Sequence, residues 1–445
     1  MGNKWKESTI GQLFNLIPGF AFKSPDFLES GIPVIKIKNI KPIKLSKHEF
    51  SYVDGSFVNT KARFIPLKGD LLISMSGNRY DGTPETWVGK VCYFQEEDLY
   101  LVNQRVGVLR GKSEVEVDPR FFVYYLAQEE QQYHFISVAT SSGGQANLSP
   151  QQIASVPVPL PPLPTQKAIA HILGTLDDKI ELLCQMNETL EAMARALFKS
   201  WFVDFDPVRK KAEGLPTGLP PEIDALFPDS FEDSELGEIP KGWNIKALGE
   251  VVEIAGGSTP RTKDTSFWDG IYKFATPRDL SRLDTPILTD TERNITKQGV
   301  AQISSGQLPT GTLLLSSRAP IGYLALTDSP VSINQGFIAV KKESILPPQY
   351  MYFWCKENME TIIGNANGTT FLEISKTNFR TIKAVLPRHD IATQFCEVAS
   401  IMFSMIAKNT HENRALIKIR DSLLPKLISG DLEIKDIDKI LEPAT

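Results

Sequence analysis

The chain is written twice, and that duplication constrains its fold more than any other feature. Trp5-x4-Ile10-Gly11-x-Leu13 recurs as Trp243-x4-Leu248-Gly249-x-Val251, and Leu71-Leu72-Ile73-Ser74 recurs as Leu313-Leu314-Leu315-Ser316. Val102-Asn103-Gln104 returns as Ile333-Asn334-Gln335, Leu148-Ser149 as Ile374-Ser375, and the stretch from Leu160-Pro161 to Gln166 as that from Leu386-Pro387 to Gln394. Every offset is roughly 230 residues, far beyond the ~20–50-residue period of a solenoid, so two copies of one domain-sized scaffold are expected. Framework positions repeat while the polar positions between them change. Two copies with different surfaces imply two related tasks on two different targets.

Each copy carries short apolar runs, Val34-Ile35-Lys36-Ile37, Asp70-Leu71-Leu72-Ile73 and Arg105-Val106-Gly107-Val108-Leu109 in the first, punctuated by Gly, Pro, Asn and Asp. These are strand and turn signals. Aromatic-rich helical stretches follow from Arg120 to about Phe135 and from Gln349 to Ile363. The fold class expected is α+β, with two similar sheet-rich domains at 1–160 and 241–388.

A long helix is expected after each domain. In the first, at 161–204, Leu173, Leu176, Ile180, Leu183, Leu190, Ala194, Leu197 and Trp201 fall on one seam, with Asn187 at an a-like position. In the second, at 389–445 with its tail, Ala399, Met402, Ile406, Leu416 and Leu423 repeat the pattern, with Asn413 as the counterpart of Asn187. A polar residue at such a position fixes register, so the two helices are expected to pair as an antiparallel coiled coil related by a pseudo-two-fold. Between the copies, 205–240 is rich in Pro, Gly and acid and reads as a connector.

Composition is that of an ordinary soluble globular protein, 42% hydrophobic and 23% charged over 445 residues. The N-terminus has no signal-peptide stretch and no run reaches the ~20 apolar residues of a membrane span, which places the expected site of action in the cytoplasm. Cys92, Cys184, Cys355 and Cys396 are far apart and form no C-x-x-C, so buried thiols are expected. The net charge is −5, yet Gly31 to Tyr80 holds nine Lys and Arg against three Asp and Glu. That local surplus of +6 is the kind of field that steers a phosphate backbone.

Leu197-Phe198-Lys199-Ser200-Trp201-Phe202-Val203-Asp204-Phe205-Asp206-Pro207-Val208, then Leu226-Phe227-Pro228-Asp229-Ser230-Phe231 and Gly237-Glu238-Ile239-Pro240-Lys241-Gly242-Trp243, closely resemble the central region of specificity (S) subunits of type I restriction-modification enzymes. Leu423-Leu424-Pro425-Lys426-Leu427-Ile428-Ser429-Gly430 looks like that family's distal helical region. The resemblance spans essentially the whole chain. It implies two target-recognition domains, each reading half of a split double-stranded DNA sequence, and paired helices that set the spacing and bind two methyltransferase (M) subunits. S-adenosylmethionine would belong to the M subunits, which methylate adenine. ATP and Mg would belong to restriction (R) subunits joining that core. The chain itself would carry no catalysis and no cofactor.

The residues agree with a non-catalytic reading. There is no G-x-x-x-x-G-K-[ST], no G-x-G-x-x-G and no Asn/Asp-Pro-Pro-aromatic tetrapeptide, and the five histidines form no H-x-x-x-H or H-E-x-x-H. The Glu433-x-Lys435 fragment of some nucleases sits in a charged tail and reads as surface decoration. Base edges are read by Arg or Lys at guanine, Asn or Gln at adenine, with Ser and Thr adaptable. The candidates are Lys36, Lys38, Asn39, Asn78, Arg79, Tyr80, Ser142 and Gln145 in the first copy, and Thr276, Arg278, Ser317, Arg318, Asn367, Thr369 and Thr370 in the second. Arg79 and Arg318 are expected to be equivalent, each following Leu-(Leu/Ile)-Ser. Asn103-Gln104 and Asn334-Gln335, kept in both copies, read as buried amides that fix backbone. The rival reading is a coiled-coil scaffold whose end domains bind proteins, with a DNA affinity insensitive to salt and sequence. A stand-alone nuclease or methyltransferase would need motifs that the sequence lacks.

Overall fold

The computed structural model describes residues 5–441 apart from 82, 84, 85, 143, 369–371 and 436, and apart from the side chains of 142, 438 and 439. It divides into two compact units, residues 1–178 with 416–445, and residues 179–415. Both are α+β.

In the first unit a four-stranded antiparallel sheet runs in the order Phe14–Pro18, Val106–Gly111, Leu71–Ser74, Val91–Tyr93. Leu71–Ser74 is buried along its whole length, the mark of a strand covered on both faces. A second sheet orders Phe27–Leu28, Ser51–Val53, Ile32–Ile35 and Leu101–Val102, the last pair parallel. The second unit repeats the plan. Phe337–Val340, Leu313–Ser316 and Leu324–Thr327 form the middle of its larger sheet, and Trp268–Ala275 pairs in parallel with Ser332–Ile333 in its smaller one. Val34↔Leu101 and Phe274↔Ser332 are thus corresponding registers, which carries the duplication from sequence into topology.

Each expected aromatic helical stretch is two helices. Pro119–Leu126 and Glu129–Val138 meet at Ala127–Gln128, and Pro348–Glu357 and Met359–Gly364 meet at Asn358. Asp118 starts the first by accepting from the amides of Arg120 and Phe121 at 2.9 and 3.3 Å, satisfying two of the donors a helix start leaves open.

The two long helices are Leu163–Phe202 and His389–Ser429. Within the first unit Ile169, Ala170 and Leu173 share a core with Leu427 and Ile428. There Asp177 accepts from Arg420 Nη1 at 2.8 Å and from the Tyr124 hydroxyl at 2.6 Å, and the Trp5 indole donates to the Ile428 carbonyl at 2.9 Å. Within the second unit Phe198, Trp201 and Phe202 pack with Phe395, Ala399 and Phe403. Asn409 Nδ2 donates to Asn187 Oδ1 at 3.0 Å and Asn413 Nδ2 meets Cys184 Sγ at 3.1 Å. Partners descend in number on one helix as they ascend on the other, so the pairing is antiparallel. The buried partner of Asn187 is thus Asn409, while its counterpart in the repeated pattern, Asn413, lies one turn away against the Cys184 sulfur. The distal helix is also long and apolar enough, by length and composition alone, to cross a membrane. Its apolar seam is spent on these cores.

The stretch 205–240 is more than a solvated linker. It contains the helix Asp206–Ala212 and the hairpin Phe231–Ser234 with Gly237–Pro240, and Val208, Phe227 and Ile239 are buried in the second unit's core. Its carboxylates Glu232, Asp233, Glu235 and Glu238 remain exposed. No disulfide links the four cysteines, of which Cys92, Cys355 and Cys396 are buried and Cys184 half-buried.

Candidate nucleic-acid interface

The same three backbone pieces adjoin one another in each unit. The first is a tight turn after the parallel strand. In the first unit Lys36 N donates to Asn39 Oδ1 at 3.0 Å, and in the second Thr276 N donates to Asp279 Oδ2 at 2.7 Å. Lys36 therefore corresponds to Thr276, and Lys38 to Arg278. Both of these cations point outward, pairing with Glu49 at 3.1 Å and with Glu292 at 3.5 Å. Asn39 does not read anything: it is fully buried and donates to the carbonyls of Ser46 and His48 as well as accepting from Lys36. Thr276 is likewise spent as a cap, its hydroxyl donating to Asp279 at 2.7 Å.

The second piece is the repeated Asn-Gln. Asn103 N donates to Ile35 O at 3.0 Å and Asn334 N to Ala275 O at 3.2 Å, tying each loop to its turn. Asn103 Oδ1 accepts from Arg105 N, and Asn334 Oδ1 from Gly336 N at 2.9 Å. The asparagines thus fix backbone as expected, though half-buried. Gln104 and Gln335 are exposed and are not core amides. The approach is close enough to require glycine opposite: a Cβ at Gly19 would collide with the Asn103 carbonyl, and one at Gly257 with that of Ile333.

The third piece is a small antiparallel ribbon. Met75 N donates to Arg105 O at 2.8 Å and its carbonyl accepts from Leu148 N at 2.8 Å; Ser317 N donates to Gly336 O at 2.8 Å and its carbonyl accepts from Ile374 N at 3.0 Å. Met75 therefore corresponds to Ser317, Ser76 to Arg318, and Asn147 to Glu373, with Ser76 opposing Asn147 in the first unit and Arg318 opposing Glu373 in the second. Arg79 and Arg318 are not equivalent. Arg79 lies three residues further along, and its Nη2 donates to the Ala139 carbonyl at 2.6 Å while its Nε is buried without a partner. Ser317 is buried and cannot face a ligand.

Several other candidates sit on or beside the ribbon. Gln145 is exposed and accepts from Arg105 Nη1 at 2.9 Å, and Asn78 donates to Thr86 Oγ1 at 3.1 Å. Asn367 exchanges backbone hydrogen bonds with Glu373, both 2.9 Å. Ser142 ends the strand Thr140–Ser142, but its side chain lies outside the described residues, as do Thr369 and Thr370. Tyr80 is exposed and joins Trp87 and Tyr133 in an aromatic patch, with ring centroids 6.1 and 6.0 Å away. Sequence reading missed Trp87 and Tyr133, which lie in unrelated local patterns.

The basic stretch is partly neutralised. Lys47 pairs with Glu96 at 2.8 Å and Lys68 with Glu97 at 2.7 Å, acids that fall outside the stretch itself. The Glu97 carboxylate raises the Lys68 pKa. Lys36 donates to Ser51 Oγ at 2.8 Å and lies 3.9 Å from the Phe27 ring centroid; burial, then the charge of Lys38, lowers its pKa. Among the described residues no group of His, Cys, Asp and Glu could hold a metal ion.

A duplicated α+β unit that presents one turn, loop and ribbon twice, beside paired antiparallel helices, defines a two-copy recognition protein. The chain belongs to the family described as type I restriction modification DNA specificity domain, matched at residues 2–192 and again at 240–420. It is similar to the HindI specificity subunit of Haemophilus influenzae, 26% identical with 96% of this chain and 99% of that one covered. It is 34% identical to the MjaIX specificity subunit of Methanocaldococcus jannaschii over 42% of this chain and 44% of that one. The crystal structure of the type I S subunit from M. genitalium has the same fold, with a TM-score of 0.63 at 16% identity over 98% of both chains.

Proposed function

We propose that this chain is the non-catalytic, DNA-reading subunit of a type I restriction-modification complex in the cytoplasm. Its recognition domains, 1–160 and 241–388, each read one half of a bipartite double-stranded target. The helices, 161–204 and 389–445, set the spacer and dock two M subunits, with 205–240 as connector. S-adenosylmethionine enters with the M subunits, and ATP and Mg with the R subunits. The observation that carries this reading is the matched surface. Both units build the turn, Asn-Gln loop and ribbon from the same backbone hydrogen bonds, while Lys38, Ser76 and Asn147 are replaced by Arg278, Arg318 and Glu373. A two-stranded ribbon fits a major groove, and a constant frame with exchanged side chains is what reading two half-sites requires. Gln104 and Gln335, alike in both units, suit contacts to phosphate or sugar, which position without specifying.

The docking face is best placed on the helices. In the second unit Leu182, Met186 and Met193 of the central helix and Ile401 and Met405 of the distal one are exposed. The 4–7-residue spacing keeps each set on one helix face. Methionine-rich apolar surface adapts readily to a protein partner. The test is methylation sequencing of cells that express this chain with the M subunit encoded beside it. A bipartite methylated motif with a fixed gap supports the reading; an assembled complex that leaves no new methylation supports the scaffold instead.

A further inference from the structure

The corresponding positions of the two ribbons are chemically unlike. In the first unit Ser76 Oγ donates to Asn147 Oδ1 at 2.7 Å and Ser76 is buried, so the pair is closed. In the second unit the same backbone sites carry Arg318 and Glu373, whose charged groups stand 3.6 Å apart with side chains 37% and 47% exposed. That separation is longer than a hydrogen bond, so guanidinium donors and carboxylate lone pairs are both available. Beside the pair opens an apolar pocket of about 580 Å³, walled by Ala319, Pro320, Ile321, Ile363 and Leu372. Charges held at such a wall are less screened than in open water.

We propose that Arg318 and Glu373 together read one G·C base pair in the half-site assigned to the second unit, with Glu373 a specificity-determining residue. The inference rests on the DNA-reading function above. Arg318 donates to guanine N7 and O6, and Glu373 accepts from the N4 amino group of the paired cytosine. Donor and acceptor on opposed ribbon strands match the acceptor–donor order across a G·C pair in the major groove. An A·T pair offers Glu373 no such match when Arg318 faces its purine: the adenine N6 amino group repels the guanidinium, and thymine O4 repels the carboxylate. The first unit carries the neutral Ser76–Asn147 pair at this position, so its half-site has no matching G·C requirement there.

The experiment maps methylated motifs in cells expressing the M subunit with wild-type chain, Glu373→Gln or Arg318→Lys. The wild-type chain is expected to give a G·C column in one half-site, and Glu373→Gln to relax that column alone by roughly 5- to 150-fold in preference, the range of one good base contact. Motifs left unchanged in both variants would overturn the assignment, as would equal weakening of every column, the mark of a phosphate contact. If a variant methylates nothing, the purified variant complex is titrated with oligonucleotides in which that pair is G·C or A·T; discrimination equal to wild type overturns the proposal, and reduced discrimination supports it. Failure of the parent reading looks different, since wild-type chain itself would then give no bipartite motif.

Discussion

At Gly257 a single methyl group would collide with the carbonyl of Ile333, just before the loop carrying Asn334 and Gln335. Gly257→Ala is expected to destabilise the second unit by more than about 1 kcal/mol, the usual floor for an alanine that its site cannot accept, seen as a lower denaturant midpoint. Cysteine reactivity gives a second residue-level test. Burial pushes the thiols of Cys92 and Cys355 well up and that of Cys396 up to about 12, so little thiolate exists at mildly alkaline pH. Cys184, half-buried, is expected to be alkylated first by iodoacetamide in the folded protein; simultaneous labelling of all four would contradict the packing. This scale was the least legible in sequence. Asn39 has the right side chain for adenine, and only its three hydrogen bonds reveal that none of it is left over. Arg79 and Arg318 looked alike because a motif names residue types but does not count hydrogen-bond register.

Among elements, the helix seam was readable because an apolar period of 3.5 survives long stretches of varied sequence. Its polar members were harder to see. Asp177, Arg420 and Asn409 break the apolar pattern, yet they occupy seam positions because each finds its partner across the helix pair. Asn187→Leu alone strands the Asn409 amide in a buried site and is expected to cost about 1–3 kcal/mol. The double change Asn187→Leu with Asn409→Leu is expected to recover most of that loss, and a double-mutant cycle on thermal unfolding measures the coupling. Additive losses would mean that the two amides do not act as a pair. The breaks at Gln128 and Asn358 were illegible for the opposite reason: neither glycine nor proline marks them.

For the molecule as a whole, the spacer proposal makes a quantitative demand. Seven residues added to each long helix, near Met193 and near its antiparallel counterpart Ser404, preserve the seam and add about 10 Å at 1.5 Å per residue. The gap between half-sites is then expected to grow by about three base pairs, read directly from the methylated motif. An unchanged gap would remove the helices as the ruler. The two-copy plan at this scale was plain in the sequence, since whole-domain repetition leaves many independent matches.

The partition of the chain also bears on how it is made. The second unit is one unbroken segment, 179–415, whereas the first needs residues 416–429 to complete a core begun by Ile10 and Leu13. On a ribosome the order of completion is therefore inverted. The later-encoded unit can close as soon as its last helix turn emerges, while the N-terminal one waits, with the seam around Ile169 and Leu173 uncovered, until Leu427 and Ile428 arrive. A released chain truncated after residue 415 is expected to have an N-terminal half that proteases cut and a C-terminal half that they spare.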